Sequence, residues 1–227
     1  MLSAFFVFTF PLPALASAVD LLHWFSVTHA PRIRKMHYFC HQRIMSSMAT
    51  PRQTDEQYDE QIAICRSLFS KKMSDYGPAW RILRPSSLTD QIFIKANRIR
   101  SIQTKGEQMV CDSARDELIG IVNYALIALI QCKKGYADTV DMTQEEALAE
   151  YDEQSRRAKA LMDNKNHDYD EAWRLMRVSS ITDIILMKIY RTKQIESHNG
   201  HTVVSEGVEA NYLDMVNYAV FALILSK

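Results

Sequence analysis

The apolar positions of this chain recur at helical spacing and predict an all-α protein with almost no strand. Over residues 56–73, Ile62, Cys65 and Leu68 fall on one face at intervals of three residues. Residues 109–132 predict a further helix that ends in a nearly unbroken apolar run. A helix that is apolar around its whole circumference is typical of the buried centre of a helical bundle.

The pattern occurs twice, so we predict two tandem copies of a three-helix unit. Asp75 returns as Asp168, an offset of 93 residues, and Asn123 returns as Asn217, an offset of 94. At the first offset the matching residues of the first copy are Lys72, Asp75, Tyr76, Ala79, Trp80, Arg81, Arg84, Ser86, Ser87, Thr89, Asp90, Ile92, Lys95 and Arg98. The first repeat is expected over residues 54–134 and the second over 143–227, packed together as one globular unit. Because the copies agree at charged and Trp positions, the repetition points to a site as well as to a core.

Local signals place the breaks between the predicted helices. Gly77-Pro78 interrupts the first helix of the first repeat, and Asp170 replaces this glycine in the second. Ser87 with Asp90 has the S-x-x-D spacing of a capping box, which predicts that the second helix starts after Ser87. Ser180 and Asp183 predict the same start in the second repeat.

Residues 1–53 differ from the repeats and are expected to form a disordered leader. The apolar residues 4–18 resemble a signal-peptide core, but no basic residue precedes them, and they are too short and too proline-interrupted for a confident membrane span. The alternative is that translation starts at Met45 or Met48. The cluster of His37, Cys40 and His41 in this segment is a weak metal-site motif.

Composition excludes some classes of function. The 227 residues contain 27 basic and 27 acidic side chains, which argues against binding to nucleic acid mainly through phosphate neutralisation. Four scattered cysteines without a C-x-x-C pair support neither a zinc ribbon nor a disulfide framework, and favour a reducing cytoplasm. The composition leaves the oligomeric state open, homo-oligomers included.

Acidic residues on the third helix of each repeat are candidate Mg²⁺ ligands. Carboxylates on one stripe of an apolar helix repel each other unless a cation lies between them, and Mg²⁺ takes oxygen ligands beside substrate phosphates. The alternative is that acids at a helix start simply favour the helix dipole. The candidate metal ligands are Asp112, Asp116, Glu206, Glu209 and Asp214, and the candidate catalytic acids are Asp75, Asp168, Glu117 and Asp214.

Basic and aromatic residues could complete a nucleotide site. Repeated lysines and arginines could clamp phosphate, or form structural ion pairs with the acids of the third helix. The repeated Trp could stack on a base or pack in the core. The candidate phosphate- and nucleotide-binding residues are Lys72, Trp80, Lys95, Arg98, Lys165, Trp173, Lys188, Arg191, Asn123 and Asn217.

The motif Lys-x-x-Asp-Tyr-Gly followed by Trp, then Asp with Lys and Arg, then Asn-Tyr-Ala, resembles the first family of nucleotide modification associated domains. That family is similar in turn to the MazG-type all-α NTP pyrophosphatases, in which an E-x-x-D motif holds Mg²⁺ against a nucleoside triphosphate. Here Glu117 keeps the first acid of such a motif and Asp214 the last, so the copies either build one composite site or have both lost activity.

Three functions therefore compete. The resemblance implies a Mg²⁺-dependent protein that binds an NTP or dNTP and hydrolyses it to monophosphate and pyrophosphate. The first alternative is a non-catalytic module that binds a nucleotide or modified base. The second is a helical interaction protein whose repeated charges are only salt bridges.

Overall fold

The computed structural model describes residues 51–106, 113–204 and 206–226, and over these residues the chain is all-α, as predicted. A short 3₁₀ helix, Ala79–Ile82 or Ala172–Leu175, follows the first long helix of each repeat. The six α-helices are α1 (Pro51–Tyr76), α2 (Pro85–Lys105), α3 (Ala114–Lys134), α4 (Gln144–Tyr169), α5 (Val178–Ser197) and α6 (Val208–Leu225). The leader up to residue 50, with its His37, Cys40 and His41 cluster, lies outside the described residues, and α1 already begins at Pro51.

Helices α3 and α6 form the centre of the bundle. They pack against each other, α2 covers α3, α5 covers α6, and α2 and α5 also meet. Among the described residues, α6 alone is long and apolar enough to cross a membrane, but 67% of it is buried inside the protein. Its apolar run is thus accounted for by the core, as the sequence predicts.

Two buried hydrogen bonds cross between the repeats. The Tyr58 hydroxyl of α1 donates to Asn217 Oδ1 of α6, and the Tyr151 hydroxyl of α4 donates to Asn123 Oδ1 of α3, both at 2.8 Å. Each asparagine then donates its Nδ2 to a backbone carbonyl of the first helix of its own repeat. The repeats are therefore interlocked through equivalent residues.

Ion pairs follow the same crossed arrangement. Arg66 of α1 contacts Asp152 of α4 at 2.6 Å, and at the equivalent positions Lys159 of α4 contacts Asp59 of α1 at 2.8 Å. Because these side chains are mostly well hydrated, the two ion pairs add little to the free energy of unfolding. Their main effect is on how α1 and α4 align.

The predicted starts of the second helices are wrong. Helix α2 begins at Pro85 and α5 at Val178, so Ser87 and Ser180 lie inside the helices and cap nothing. Proline is well suited to the first position of a helix because its missing N–H has no partner there. Asp90 reaches across to Lys193 at 2.6 Å instead.

The third helices, predicted over 109–132 and 204–226, begin later than predicted. Helix α3 starts at Ala114, where Ser113 and Asp116 form a reciprocal capping box, and α6 starts at Val208. The predicted first residues of the third helix, 109–112, lie outside the described part of the chain.

Candidate functional site

Each repeat encloses a cavity built only from its own residues. The first cavity, of about 530 Å³, lies between α1, the 3₁₀ turn Ala79–Ile82, Lys95 of α2 and α3. The second cavity, of about 300 Å³, lies between α4, the turn Ala172–Leu175 and α6. Both volumes fall in the range of small-molecule sites, the second at its lower limit.

A left-handed residue turns the chain from the first helix towards the cavity in both repeats. Gly77 has φ 65° and Asp170 has φ 49°, and each donates its N–H to the carbonyl four residues earlier. Aspartate tolerates this conformation better than most residues do. Replacement of the glycine therefore keeps the left-handed residue, but the loop then differs, because Glu171 is also left-handed with φ 53° where Pro78 has φ −81°.

The central acid of each cavity is held by two basic side chains. Glu117 is buried and accepts from Lys95 Nζ at 3.1 Å and from Arg98 Nη1. Asp214 is likewise buried and accepts from Lys165 Nζ and Lys188 Nζ, both at 2.5 Å. The ion-pair alternative weighed from the sequence accounts for these contacts.

The two acids occupy different positions of the repeat and different cavities. Glu117 corresponds to Asn211 in the second repeat, and Asp214 corresponds to Gly120 in the first. Of these two acids, Glu117 lines the first cavity and Asp214 lines the second. The two halves of the acidic motif therefore do not share one cavity.

This exchange leaves Lys72 without the carboxylate partner that its equivalent has. Its equivalent, Lys165, pairs with Asp214, but the first repeat has Gly120 where that carboxylate would stand. Lys72 lines the first cavity, is exposed, and has no ion pair among the described residues. The aliphatic end of Lys95 occupies the space beside Gly120, where a Cβ would lie 2.6 Å from Lys95 Cδ.

The tryptophans are core residues that also form cavity walls. Trp173 stacks on Phe221 with ring centroids 4.2 Å apart, and the Arg174 guanidinium lies 4.3 Å from the indole centroid. Trp80 is tilted against Phe69 at 6.4 Å and is only 6% exposed. Packing, the alternative reading of these residues, explains the position of both rings.

Two tyrosines of the first cavity were not assigned to the site from the sequence. Tyr76 is 56% exposed at the end of α1, and Tyr124 of α3 is half-buried with Lys95 Nζ 5.9 Å from its ring centroid. Partial burial, followed by the nearby Tyr124 and Asp75, raises the pKa of Tyr76. Both tyrosines belong to repeated motifs, and this repetition was the signal that pointed to them.

Several predicted catalytic and basic residues lie away from the cavities. Asp75 and Asp168 are exposed and line neither cavity, and the carboxylate of Asp168 lies 3.1 Å from Nδ1 of His167. Arg191 is exposed and also lines neither cavity. The amides of Asn123 and Asn217 line the cavities but are engaged in the crossed hydrogen bonds.

The candidate metal ligands are dispersed. Asp116 caps α3, and its hydrogen bonds with Ser113 lower its pKa. Glu209 pairs with Arg157 at 2.9 Å, and Glu206 is exposed ahead of α6. Asp112 lies outside the described residues.

The described residues alone do not form a Mg²⁺ site. Among them, no group of three or more His, Cys, Asp and Glu side chains is placed to hold a metal ion. The oxygens of Glu117 and Asp214 are already bonded to ammonium or guanidinium groups, with which Mg²⁺ would compete. Mg²⁺ therefore stays a prediction from the sequence.

Comparison with known families agrees with the repeated architecture. The family model of nucleotide modification associated domain 1 matches the chain twice, over residues 72–132 and 165–225. These spans cover more than half of the chain, which therefore belongs to this family and carries two tandem copies of its domain. No curated protein and no solved structure matches the chain.

Proposed function

We propose that this protein binds a nucleotide in the first cavity. The observation that carries the proposal is that Lys72 lines the first cavity without an ion pair among the described residues, whereas the other lysine of this cavity, Lys95, is paired with Glu117. A phosphate group would supply the missing negative charge, and charge-assisted hydrogen bonds of this kind are among the stronger polar contacts in proteins. The family name, which refers to nucleotide modification, is consistent with such a ligand.

The first cavity brings basic and aromatic side chains together. Lys72 supplies an ammonium group that has no ion pair among the described residues, Lys95 is held by Glu117, and Tyr76 and Tyr124 offer aromatic surface to a base. Stacking of a base on an aromatic side chain is tolerant of base identity. The phosphates are therefore assigned to Lys72 and the base to the aromatic side chains.

The second cavity is assigned a structural role. Its one lining lysine among the described residues, Lys165, is paired with Asp214, which Lys188 also holds, so an incoming anion would have to displace a buried carboxylate. Displacement of one partner from a buried ion pair is costly because the other charge loses its compensation.

A matched pair of lysine variants tests this proposal. Calorimetric titration with a panel of NTPs and dNTPs should show one nucleotide bound per chain. Lys72→Met should weaken binding about tenfold or more, since a charge-assisted bond contributes about 1.5–3 kcal/mol and 1.4 kcal/mol is a factor of ten. Lys165→Met, the equivalent change in the second repeat, should leave the affinity within about twofold of wild type. A wild-type protein that binds none of the nucleotides would refute the proposal.

The second candidate function is a Mg²⁺-dependent NTP pyrophosphohydrolase, as the similarity to MazG-type enzymes implies. The observation that favours it is the presence of two neighbouring acids, Asp116 and Glu117, on the wall of the first cavity. If metal ions bind together with nucleotide, these two carboxylates are the residues of the first cavity that would hold them. The metal would then supply charge stabilisation at the phosphates.

Product analysis separates the two candidates. Incubation of the protein with Mg²⁺ and each NTP or dNTP, followed by chromatography, should yield monophosphate and pyrophosphate only if the second candidate is correct. Turnover should then disappear on chelation of Mg²⁺ and in Glu117→Gln, with thermal unfolding as the control that this variant is folded at the assay temperature. Nucleotide binding without turnover leaves the binding module, and absence of both leaves the helical interaction protein.

A further inference from the structure

The basic side chains at the first cavity differ in whether they already have a carboxylate partner. Lys95 is held by Glu117, whose carboxylate also accepts from Arg98. Lys72 lines the same cavity and has no ion pair among the described residues. Among the described lining residues, one ammonium group is therefore left to pair with an incoming phosphate.

The wall of this cavity also carries a carboxylate that is outside any ion pair of the described residues. Asp116, in the first turn of α3, is exposed and lines the first cavity. It accepts hydrogen bonds from the backbone N–H and the hydroxyl of Ser113, at 2.8 and 2.7 Å. These hydrogen bonds lower the pKa of Asp116, so the side chain is ionised at neutral pH. Because Ser113 is uncharged, the negative charge of Asp116 stays on the cavity wall.

Each phosphate of a nucleotide adds negative charge that the cavity has to accommodate. A first phosphate supplies the partner that Lys72 lacks, as Asp214 does for Lys165. A second and a third phosphate find no further unpaired lysine or arginine among the described lining residues, and they bring like charge to the wall that carries Asp116. Like charges repel, and the exposure of Asp116 keeps this repulsion moderate. The charges of the cavity therefore match one phosphate better than a chain of three.

We infer that the first cavity is a site for a nucleoside monophosphate and discriminates against the corresponding di- and triphosphates. The inference rests on the proposed function and adds to it the class of nucleotide. Lys72 pairs with the phosphate, and Asp116 repels the phosphates that lengthen the chain. Triphosphates still bind, but more weakly than monophosphates.

Ligands that share one base and differ in the number of phosphates test this inference. For each common base, the probes are the nucleoside and its mono-, di- and triphosphate. They are titrated calorimetrically into the full chain in EDTA, so that divalent cations do not neutralise the phosphates. The monophosphate should bind about tenfold more tightly than the nucleoside, because it gains the contact with Lys72. Affinity should then fall by roughly twofold or more with each further phosphate.

Two matched variants assign the discrimination to Asp116. Asp116→Asn removes the charge and keeps an acceptor oxygen for Ser113, so triphosphate binding should tighten by about threefold and monophosphate binding should change less. Glu209→Gln removes an exposed acid of α6 that lines neither cavity, and it should leave the whole series of affinities unchanged. Thermal unfolding of both variants establishes that folded protein is being compared.

The outcomes separate this inference from the proposed function. A wild-type protein that binds no nucleotide of any base refutes the proposed function itself. Nucleotide binding that stays equal or strengthens from monophosphate to triphosphate overturns the inference and leaves the proposed function standing. A monophosphate preference that Asp116→Asn leaves unchanged overturns the role given to Asp116. A monophosphate preference that Asp116→Asn reduces and Glu209→Gln does not supports the inference.

Discussion

Replacement of Asp214 by asparagine is expected to destabilise the protein through the lysines that it leaves behind. Asp214 is 5% exposed and holds Lys165 and Lys188, each at 2.5 Å. Asparagine has nearly the same shape and keeps an acceptor oxygen, but it removes the negative charge. Two ammonium groups would then share a partly buried position with no counter-charge.

The magnitude follows from the exposure of the two lysines. The Lys165 side chain is 48% exposed and regains hydration, so its share is small. The Lys188 side chain is only 14% exposed, so water cannot replace the negative charge that its ammonium group loses. Removal of one partner of a buried pair costs about 3–5 kcal/mol, and the retained acceptor and partial exposure reduce the expected loss to about 2–3 kcal/mol. For a chain of this size, that corresponds to a fall in Tm of about 5–10 °C.

Urea unfolding, followed by far-UV circular dichroism, measures this loss of stability. The slope of the unfolding free energy against urea concentration should equal that of wild type if the folded state is intact. The matched control is Glu209→Gln on the same helix, since the Glu209–Arg157 pair is exposed and should contribute less than about 0.5 kcal/mol. Equal stability of wild type and Asp214→Asn would refute this account of the ion-pair cluster. The prediction also means that loss of function in Asp214→Ala cannot by itself identify a catalytic acid, because stability falls as well.

Three further changes test other parts of the structure. Tyr58→Phe should lower the free energy of unfolding by about 1–2 kcal/mol, because Asn217 Oδ1 then loses its buried donor; a neutral result in chemical denaturation would contradict the crossed hydrogen bonds. Gly77→Ala should lower the free energy of unfolding by about 1–2 kcal/mol through backbone strain at its φ of 65° alone, since a Cβ there meets no atom within 4 Å. An unchanged Tm in thermal unfolding would contradict this prediction. Partial burial is the main cause that raises the pKa of Asp163, and the nearby charges of Asp55 and Asp59 raise it further. The protonated carboxyl therefore favours the folded state below its unfolded pKa, and this contribution is lost as the pH rises through its folded pKa. Asp163→Asn should therefore raise stability by about 0.5 kcal/mol at pH 7 and by nothing near pH 3, and a gain that persists at acid pH would count against this explanation.

The repetition of polar residues was readable from the sequence because repeats are compared position by position. The two offsets, the all-α class and the central position of the third helices required only helical periodicity and alignment. The helix starts at Pro85 and Val178 were missed because a serine with an acid three residues later fits a capping box wherever it lies. The local pattern cannot tell whether a preceding residue has already begun the helix.

The split of the acidic motif between Glu117 and Asp214 was also visible in the sequence, but its consequence was not. Whether the two acids face one site or two depends on how the repeats are folded against each other. Only the structure places them in separate cavities. The exposed position of Asp75, despite its exact repetition as Asp168, depends on the tertiary structure in the same way.

By itself, the sequence determined the helices, the duplication and the family, since these depend on spacing along one chain. The tertiary structure decided which charges are neutralised and which donors are paired, because partners such as Lys165 and Asp214 are 49 residues apart in the chain. It is this difference in partners that distinguishes two cavities built from nearly the same residues. Lys72 and Trp80 differ from Lys165 and Trp173 only in what stands opposite them, and that is a property of the fold.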